Sequence, residues 1–136
     1  MSLSLRARYF ALGVVVMLVG LVVHFQGAHL SANARDIIGD ALWATMIASF
    51  VSVILPWRRP WQRYVTALII CYAVELSQLS QLSALQYVRS TLLGRLVLGS
   101  GFDPRDLVAY ALGIVIFIAL DQCWLLRKNG ERVLTI

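Results

Sequence analysis

Long runs of uncharged, apolar residues are the feature that most restricts the fold of this chain. Residues 9–25 contain no Asp, Glu, Lys or Arg, and the runs 37–55, 64–79 and 106–126 contain only one or two acids each. A helix needs about 20 mainly apolar residues to cross the hydrocarbon core of a bilayer. None of the runs alternates between polar and apolar residues as a strand would. The sequence therefore predicts an all-α membrane protein with four transmembrane helices.

The composition agrees with this interpretation. Hydrophobic residues make up 60% of the 136 residues and charged residues only 14%, whereas a soluble domain has about 25% charged residues. Length and composition together predict one transmembrane domain over residues 1–136. They disfavour a disordered chain, a coiled coil and an ordinary soluble enzyme.

Basic residues are divided unequally between the two sides of the predicted spans. Eight of the 12 Lys and Arg residues flank one side: Arg6, Arg8, Arg58, Arg59, Arg63, Arg127, Lys128 and Arg132. The other four, on the opposite side, are Arg35, Arg89, Arg95 and Arg105. Because cytoplasmic loops are enriched in Lys and Arg, we expect both termini and residues 56–63 on the cytoplasmic side of the membrane. This anchoring explains the net charge of +5, and no nucleic-acid partner is predicted.

The first apolar run has a second interpretation. Arg6 and Arg8, an apolar run and the sequence Ala32-Asn33-Ala34 are also typical of a secretory signal peptide with its cleavage site. The apolar part of a signal peptide is usually about 7–15 residues long, which is shorter than residues 9–25. We therefore expect the run to be retained as a span.

Residues 80–104 are too long for a plain connection between packed helices. Leucines recur within them at helical spacing: Leu82, Leu85, Leu92 and Leu96. Arg89 falls on the same stripe, which predicts an amphipathic helix in the outer interface or a re-entrant hairpin between the third and fourth spans. Residues 99–101 (GSG) end this pattern. Asp103 followed by Pro104 then predicts the start of a new helix.

Ionisable residues inside the spans are candidates for a functional site because they are costly in lipid. Glu75 lies near the negative end of its own helix dipole, so it must be protonated, paired or open to water. Asp40 and Asp106 lie in the first turns of their spans, where the dipole favours an acid, and capping explains both equally well. Asp121 is about 22 Å farther along the fourth span than Asp106, and we expect it to pair with an arginine of the inner loop.

The polar residues that this topology places toward the outer face form one candidate site. Its catalytic candidates are Glu75 and Asp106, as acid and base. Its substrate-binding candidates are Asp40, Gln78, Arg89 and Tyr110. In this hypothesis Arg89 holds an anionic headgroup. The same residues are also typical of an ion-paired cluster that only fixes helix packing.

No cofactor and no metal site is predicted. His24 and His29 are separated in sequence from the acids and are interpreted as interfacial polar residues. Cys71 and Cys123 have no metal-binding or disulfide spacing, and buried apolar packing is expected for both.

Four segments carry a resemblance to known families. They are GDALWA at residues 39–44, ELSQL at 75–79, RSTLLG at 89–94 and GSGFDPRDLVAYALG at 99–113. With them the chain resembles a family of short bacterial membrane proteins known as a domain of unknown function of the 2809 type, and more distantly the VanZ-like family. The positions that correspond to the VanZ-like pattern are Glu75, Gln78, Arg89, Asp106 and Gly113, with Tyr110 in place of an asparagine. The resemblance implies a four-span fold with a shared polar site, and VanZ-like proteins are associated with resistance to teicoplanin.

Three functions are consistent with the sequence. The first is a membrane protein that binds or acts on an envelope lipid or amphiphile at an outer-leaflet polar site, with membrane lipids as its partners. The second is a small, homo-oligomeric, proton-coupled transporter with Glu75 as the relay. The third is a structural or accessory subunit without enzymatic activity.

Overall fold

A computed structural model of the chain describes residues 3–26, 29–80, 82–99 and 101–125. Within these ranges the protein is all-helical, as predicted. Its helices are α1 (Leu3–Gln26), α2 (Ala32–Ile54), α3 (Pro60–Ser77), α4 (Ser83–Ser90), α5 (Leu92–Leu98) and α6 (Pro104–Leu120). A π-helical turn, Asp121–Leu125, follows α6.

Three of the helices are long and apolar enough to cross a membrane. They are Leu5–Gln26, Ala32–Ile54 and Pro104–Cys123, with mean hydropathies of 2.1, 1.8 and 1.8. The prediction of a fourth such span at residues 64–79 is wrong on this criterion. The helix at this position begins at Pro60 and ends at Ser77, so it takes in polar residues of the preceding loop and remains too polar on average.

Both charged residues of α3 point into the protein, whereas several of its large aliphatic residues point outward. Arg63 is only 3% exposed and Glu75 is 0% exposed, whereas Ile69 is 61% exposed. Mean hydropathy takes no account of which face a residue occupies. The interior face of α3 is covered by α2 and α6, against which the helix packs.

Helix α2 is central and contacts α1, α3 and α6. Its approach to α6 is close because Gly113 has no side chain: a Cβ atom there would lie 2.2 Å from the carbonyl oxygen of Ala41. The Thr45 hydroxyl lies 3.0 Å from the carbonyl oxygen of Gly113 and 2.9 Å from that of Ala41. Small residues therefore allow the two backbones to come together, as is common between membrane helices.

The bundle has two polar ends. Near one end, Tyr64 of α3 contacts Asp121, which follows α6, and near the other end Glu75 of α3 contacts Tyr110 of α6. These are named the Asp121 end and the Glu75 end. Tyr9, near the start of α1, also bonds to Asp121, so the start of α1 and the end of α6 lie at the same end. Three basic residues expected at this end lie outside the described residues: Arg127, Lys128 and Arg132. The predicted end of the fourth span, residue 126, also lies outside them.

The segment between α3 and α6, for which an amphipathic helix or a re-entrant hairpin is expected, contains two short helices. The chain breaks at Thr91, whose backbone is extended and whose hydroxyl accepts a hydrogen bond from the amide of Gly94 at 3.0 Å. Helix α5 ends at Gly99, which has a φ of 70°. The predicted start of α6 is confirmed: Asp103 is the N-cap, Pro104 comes next, and the Asp103 carboxylate accepts from the Arg105 amide.

Candidate functional site

Glu75 is the centre of a buried hydrogen-bond cluster that joins α3 to the start of α6. Its Oε1 accepts from the amide of Asp103 at 2.9 Å. Its Oε2 accepts from Nε2 of Gln78 at 2.7 Å and from the hydroxyl of Tyr110 at 3.1 Å. We call Glu75, Gln78, Asp103 and Tyr110 the Glu75 cluster. Both oxygens of the Glu75 carboxyl are thus occupied by neutral donors of the protein itself.

Two further carboxyl groups meet beside this cluster. Asp40 of α2 and Asp106 in the first turn of α6 are partly buried, and their side chains lie in hydrogen-bonding contact with each other. Two carboxylates brought close together repel each other, so such a pair favours a proton or a cation beside it. We call these two residues the carboxyl pair.

The carboxyl pair lines a cavity of about 750 Å³ formed by α1, α2, α6 and the residues around α5. The polar part of its lining includes Arg35, Asp36, Asp40, Gln78, Arg95, Asp103, Asp106 and Tyr110. The apolar part includes Val16, Met17, Leu21, Trp43, Met46 and Phe50. Along α2 the lining changes from Arg35 to Phe50 over about 22 Å, at 1.5 Å per residue. The cavity is therefore polar near the start of α2 and apolar deeper along the helix.

Glycines provide the space between α1 and α2. A Cβ atom at Gly20 of α1 or at Gly39 of α2 would have no neighbouring atom within 4 Å, and both residues line the cavity. At Gly13 the same two helices are in tight contact, since a Cβ atom there would lie 2.8 Å from the Phe50 ring. The two helices are therefore packed near Gly13 and leave open space toward the Glu75 end.

The loop between α5 and α6 closes the cavity over Gln78. A Cβ atom at Gly99 would lie 2.5 Å from Nε2 of Gln78, so the positive φ and the close approach both require glycine. The bond from Asp103 to Glu75 holds the other end of this loop. Nε2 of Gln78 donates to Glu75. Oε1 of Gln78 is buried and has no hydrogen-bond partner among the described residues.

The structure thus brings together Asp40, Glu75, Gln78, Asp106 and Tyr110, and it places Arg89 apart from them. Nη2 of Arg89 donates to the hydroxyl of Ser77 at 3.1 Å, and within the described ranges no ion pair joins Arg89 to an acid. The arginines on the cavity are instead Arg35 and Arg95, which the sequence analysis did not select. A signal for residues 35 and 36 was present in the sequence: Asp36 lies one helical turn before Asp40, so the two occupy the same face of α2.

A second buried acid lies at the opposite end of the bundle. Asp121 is 0% exposed and accepts hydrogen bonds of 2.5 Å from the hydroxyls of Tyr9 and Tyr64. Nη2 of Arg63 lies 3.7 Å from its carboxylate, which confirms the expected ion pair with an inner-loop arginine. The Arg63 guanidinium also lies 5.2 Å from the centroid of the Tyr9 ring. We call Tyr9, Arg63, Tyr64 and Asp121 the Asp121 cluster; the sequence analysis missed the role of its two tyrosines.

The histidines and cysteines are not gathered into a metal site. In the part of the chain that the structure describes, no group of three or more His, Cys, Asp or Glu side chains could hold a metal ion. Cys71 is buried, as expected. The expectation of buried packing is wrong for Cys123, which is exposed because it lies on the π-helical turn beyond the core. His24 lines the cavity and His29 is exposed.

The comparisons with known proteins return one family. A family model described as "Protein of unknown function (DUF2809)" matches residues 29–114. These residues contain the Glu75 cluster and the carboxyl pair, and they exclude Tyr9 and Asp121. No solved structure matches the chain. The more distant VanZ-like resemblance stays a prediction.

Proposed function

We propose that this chain, which belongs to the DUF2809 family of proteins of unknown function, binds an amphiphile of the cell envelope in the cavity at its Glu75 end. The observation that carries the proposal is the lining of this cavity. Charged and hydrogen-bonding side chains surround one part of it, and apolar side chains of α1 and α2 surround the other. This distribution matches a molecule with a polar headgroup and an apolar chain.

The size and position of the cavity support this function. Sites for small molecules have volumes of about 300–1,000 Å³, and this cavity has about 750 Å³. Its apolar wall is built from two of the three helices that are long and apolar enough to cross a membrane. Met17, on the α1 wall of the cavity, is 40% exposed. An acyl chain can therefore enter sideways from the bilayer.

The distribution of charge supports an outer-leaflet position. Arg6, Arg8, Arg58, Arg59 and Arg63 lie near the helix ends that meet at the Asp121 end, which the positive-inside rule assigns to the cytoplasm. The Glu75 end then faces the outer leaflet of the bacterial inner membrane. The bound amphiphile is accordingly a component of that leaflet or a compound that reaches it from outside.

Glu75 serves this site as a positioning residue. Both of its oxygens are occupied by the protein, and it is 0% exposed. Through these bonds it fixes Gln78, Tyr110 and the loop that closes the cavity. The groups that contact the amphiphile are Asp40 and Asp106, which line the cavity.

A cavity-filling variant tests the function. Gly20→Phe places a ring in the open space beside Gly20, whereas Val19→Phe adds the same ring on an exposed face of α1 that does not line the cavity. Each protein is purified in mild detergent with the total lipid of its membrane, and the lipid retained per chain is measured by native mass spectrometry. We expect Gly20→Phe to reduce retention about tenfold or more, because the ring occupies the binding volume, and Val19→Phe to retain lipid as the unmodified protein does.

Gly39→Leu fills the same cavity from α2 and provides a second variant if Gly20→Phe does not fold. Equal lipid retention by a folded cavity-filling variant and by Val19→Phe would overturn the proposed function. The matched comparison separates lipid in the cavity from lipid bound on the outside of the bundle, because both variants keep that outer surface apolar.

A further inference from the structure

Resting on the proposed function, we infer that the headgroup bound in the cavity carries both a primary ammonium group and a phosphate, as in phosphoethanolamine. The carboxyl pair receives the ammonium group, and Arg35 and Arg95 receive the phosphate. The inference follows from which groups on the cavity the protein leaves without a partner.

The groups next to the carboxyl pair are acceptors that need a donor. In the described part of the chain, no Lys or Arg nitrogen lies within 4 Å of Asp40 or Asp106. Gln78 uses its amide nitrogen to bond to Glu75, which leaves Oε1 as a buried acceptor without a partner. A primary ammonium group has three hydrogen-bond donors and a positive charge. Such a group can donate to both members of the carboxyl pair and to Oε1 of Gln78.

Two arginines on the same cavity are free to bind an anion. Arg35 and Arg95 line the cavity, and over the residues described neither forms an ion pair with an acid. Arg105 differs, because its Nη2 lies 2.8 Å from the carboxylate of Asp103. The planar guanidinium group matches the oxygens of a phosphate with two parallel hydrogen bonds. A headgroup with a phosphate beside its ammonium group therefore satisfies both sets of side chains.

The lining also distinguishes between headgroups of similar size. A quaternary ammonium group, as in choline, has the positive charge but no N–H donor, so it leaves the carboxyl pair and Gln78 without hydrogen bonds. A glycerol headgroup has no positive charge to offset the carboxyl pair. The cavity is thus expected to prefer phosphatidylethanolamine over phosphatidylcholine and phosphatidylglycerol.

The test is a competition between lipids that differ only in the headgroup. The full-length protein is mixed with equimolar phosphatidylethanolamine, its N,N-dimethyl derivative, phosphatidylcholine and phosphatidylglycerol with identical acyl chains, and the retained lipid is identified by native mass spectrometry. We expect phosphatidylethanolamine to be retained about tenfold over phosphatidylcholine, as the loss of hydrogen bonds to a charged group implies. The dimethyl derivative should fall between them.

Single variants show which side chains bind the ammonium group and which bind the phosphate. Asp40→Asn should bring the retention of phosphatidylethanolamine down to that of phosphatidylcholine without lowering the retention of phosphatidylglycerol. Arg35→Gln should lower the retention of all four phospholipids several-fold. Arg6→Gln, which removes the same charge at the Asp121 end, is the matched control and should leave both retention and preference unchanged.

The outcomes separate this inference from the proposed function. Retention of lipid that is abolished by Gly20→Phe but shows no preference among the four headgroups overturns the inference and leaves the function standing. Absence of lipid from the cavity, together with no binding of soluble glycerophosphoethanolamine, overturns both. Soluble glycerophosphoethanolamine, measured by calorimetry, distinguishes the two sources of the headgroup. If it binds in the absence of any lipid retention, the headgroup chemistry is supported and the amphiphile is overturned.

Discussion

The two ends of the bundle each contain a fully buried acid, yet the surroundings of these acids differ. Asp121 accepts from two tyrosine hydroxyls and has Arg63 beside it, so the Asp121 cluster supplies its own cation. Glu75 is satisfied by neutral donors, and next to it the carboxyl pair and two arginines face a cavity. A buried acid is therefore not in itself a sign of function. Unpartnered polar groups occur at both ends, since Nε and Nη1 of Arg63 also have no hydrogen-bond partner among the described residues; the better sign is that those of the Glu75 end face a cavity.

The largest loss in the free energy of unfolding is expected for a substitution in the Asp121 cluster. Asp121→Leu leaves the Arg63 guanidinium, 3% exposed, buried without a counter-charge, and removing one partner of a buried ion pair costs about 3–5 kcal/mol. The free energy of unfolding in mixed micelles measures this loss. Adding Arg63→Met to Asp121→Leu should restore only part of the stability, because it removes the unpaired charge but leaves the buried hydroxyls of Tyr9 and Tyr64 without their acceptor. A loss below about 1 kcal/mol in the single variant would show that the ion pair does not hold this end together.

Substitutions of two glycines compare a tightly packed helix interface, at Gly113, with an open one, at Gly39. Gly113→Ala places a methyl group 2.2 Å from the carbonyl oxygen of Ala41, and the helices must separate to admit it. We expect a loss of about 1–3 kcal/mol in the free energy of unfolding. Gly39→Ala meets no atom within 4 Å and should be neutral or stabilising by about 0.5–1 kcal/mol, because alanine favours a helix over glycine. Equal effects of the two substitutions would contradict the different packing at these sites.

Two substitutions of Glu75 test whether this residue acts through its charge or through its hydrogen bonds. Glu75→Leu removes the acceptor for the Asp103 amide, and an unsatisfied buried donor costs about 1–3 kcal/mol. Glu75→Gln keeps an oxygen for this amide, and the Gln78 amide and the Tyr110 hydroxyl can reverse their roles. We therefore expect Glu75→Gln to retain both the stability and the lipid of the unmodified protein. Loss of lipid in a stable Glu75→Gln protein would instead make Glu75 a direct participant.

The smallest effect on stability is expected for a substitution at the exposed start of α6. The hydrogen bond from the Arg105 side chain lowers the pKa of the Asp103 carboxyl below its ordinary value. Because the pKa is lower in the folded state, the stabilisation is present above the ordinary pKa of Asp and is lost as the pH falls through the lowered value. Arg105→Gln should raise the pKa of Asp103 toward its ordinary value in a carboxyl NMR titration. An unchanged pKa would assign the shift to the Arg105 backbone amide, which also donates to Asp103.

Parts of this structure follow from local sequence rules. Asp103 followed by Pro104 identifies the start of α6, and the position of Asp121 beyond the outer acids identifies its arginine partner. These features depend on residues close in sequence or on charge complementarity. The helical class follows from the length of the apolar runs.

Other parts depend on packing that no single segment reveals. The extent of the third helix was wrong because Pro60 starts it before Arg63, and the inward direction of Arg63 and Glu75 is a property of the assembled bundle. Arg89 was selected as a counter-ion because the predicted topology places it near the outer acids, whereas in the folded bundle its Nη2 bonds to the hydroxyl of Ser77. The cavity depends on Gly20 and Gly39, which belong to different helices and line one space only after α1 and α2 have packed.

The most direct test of the central claim is to identify what contacts Met46 in the living membrane. The chain has three methionines; Met17 and Met46 line the cavity, and Met46 is only 8% exposed. Cells are grown with a photoreactive methionine analogue and irradiated, and the peptides are searched by mass spectrometry for lipid adducts. An amphiphile in the cavity predicts a lipid adduct on Met46 that disappears in Gly20→Phe and persists in Val19→Phe. A lipid adduct on the more exposed Met17 without one on Met46 would contradict the account.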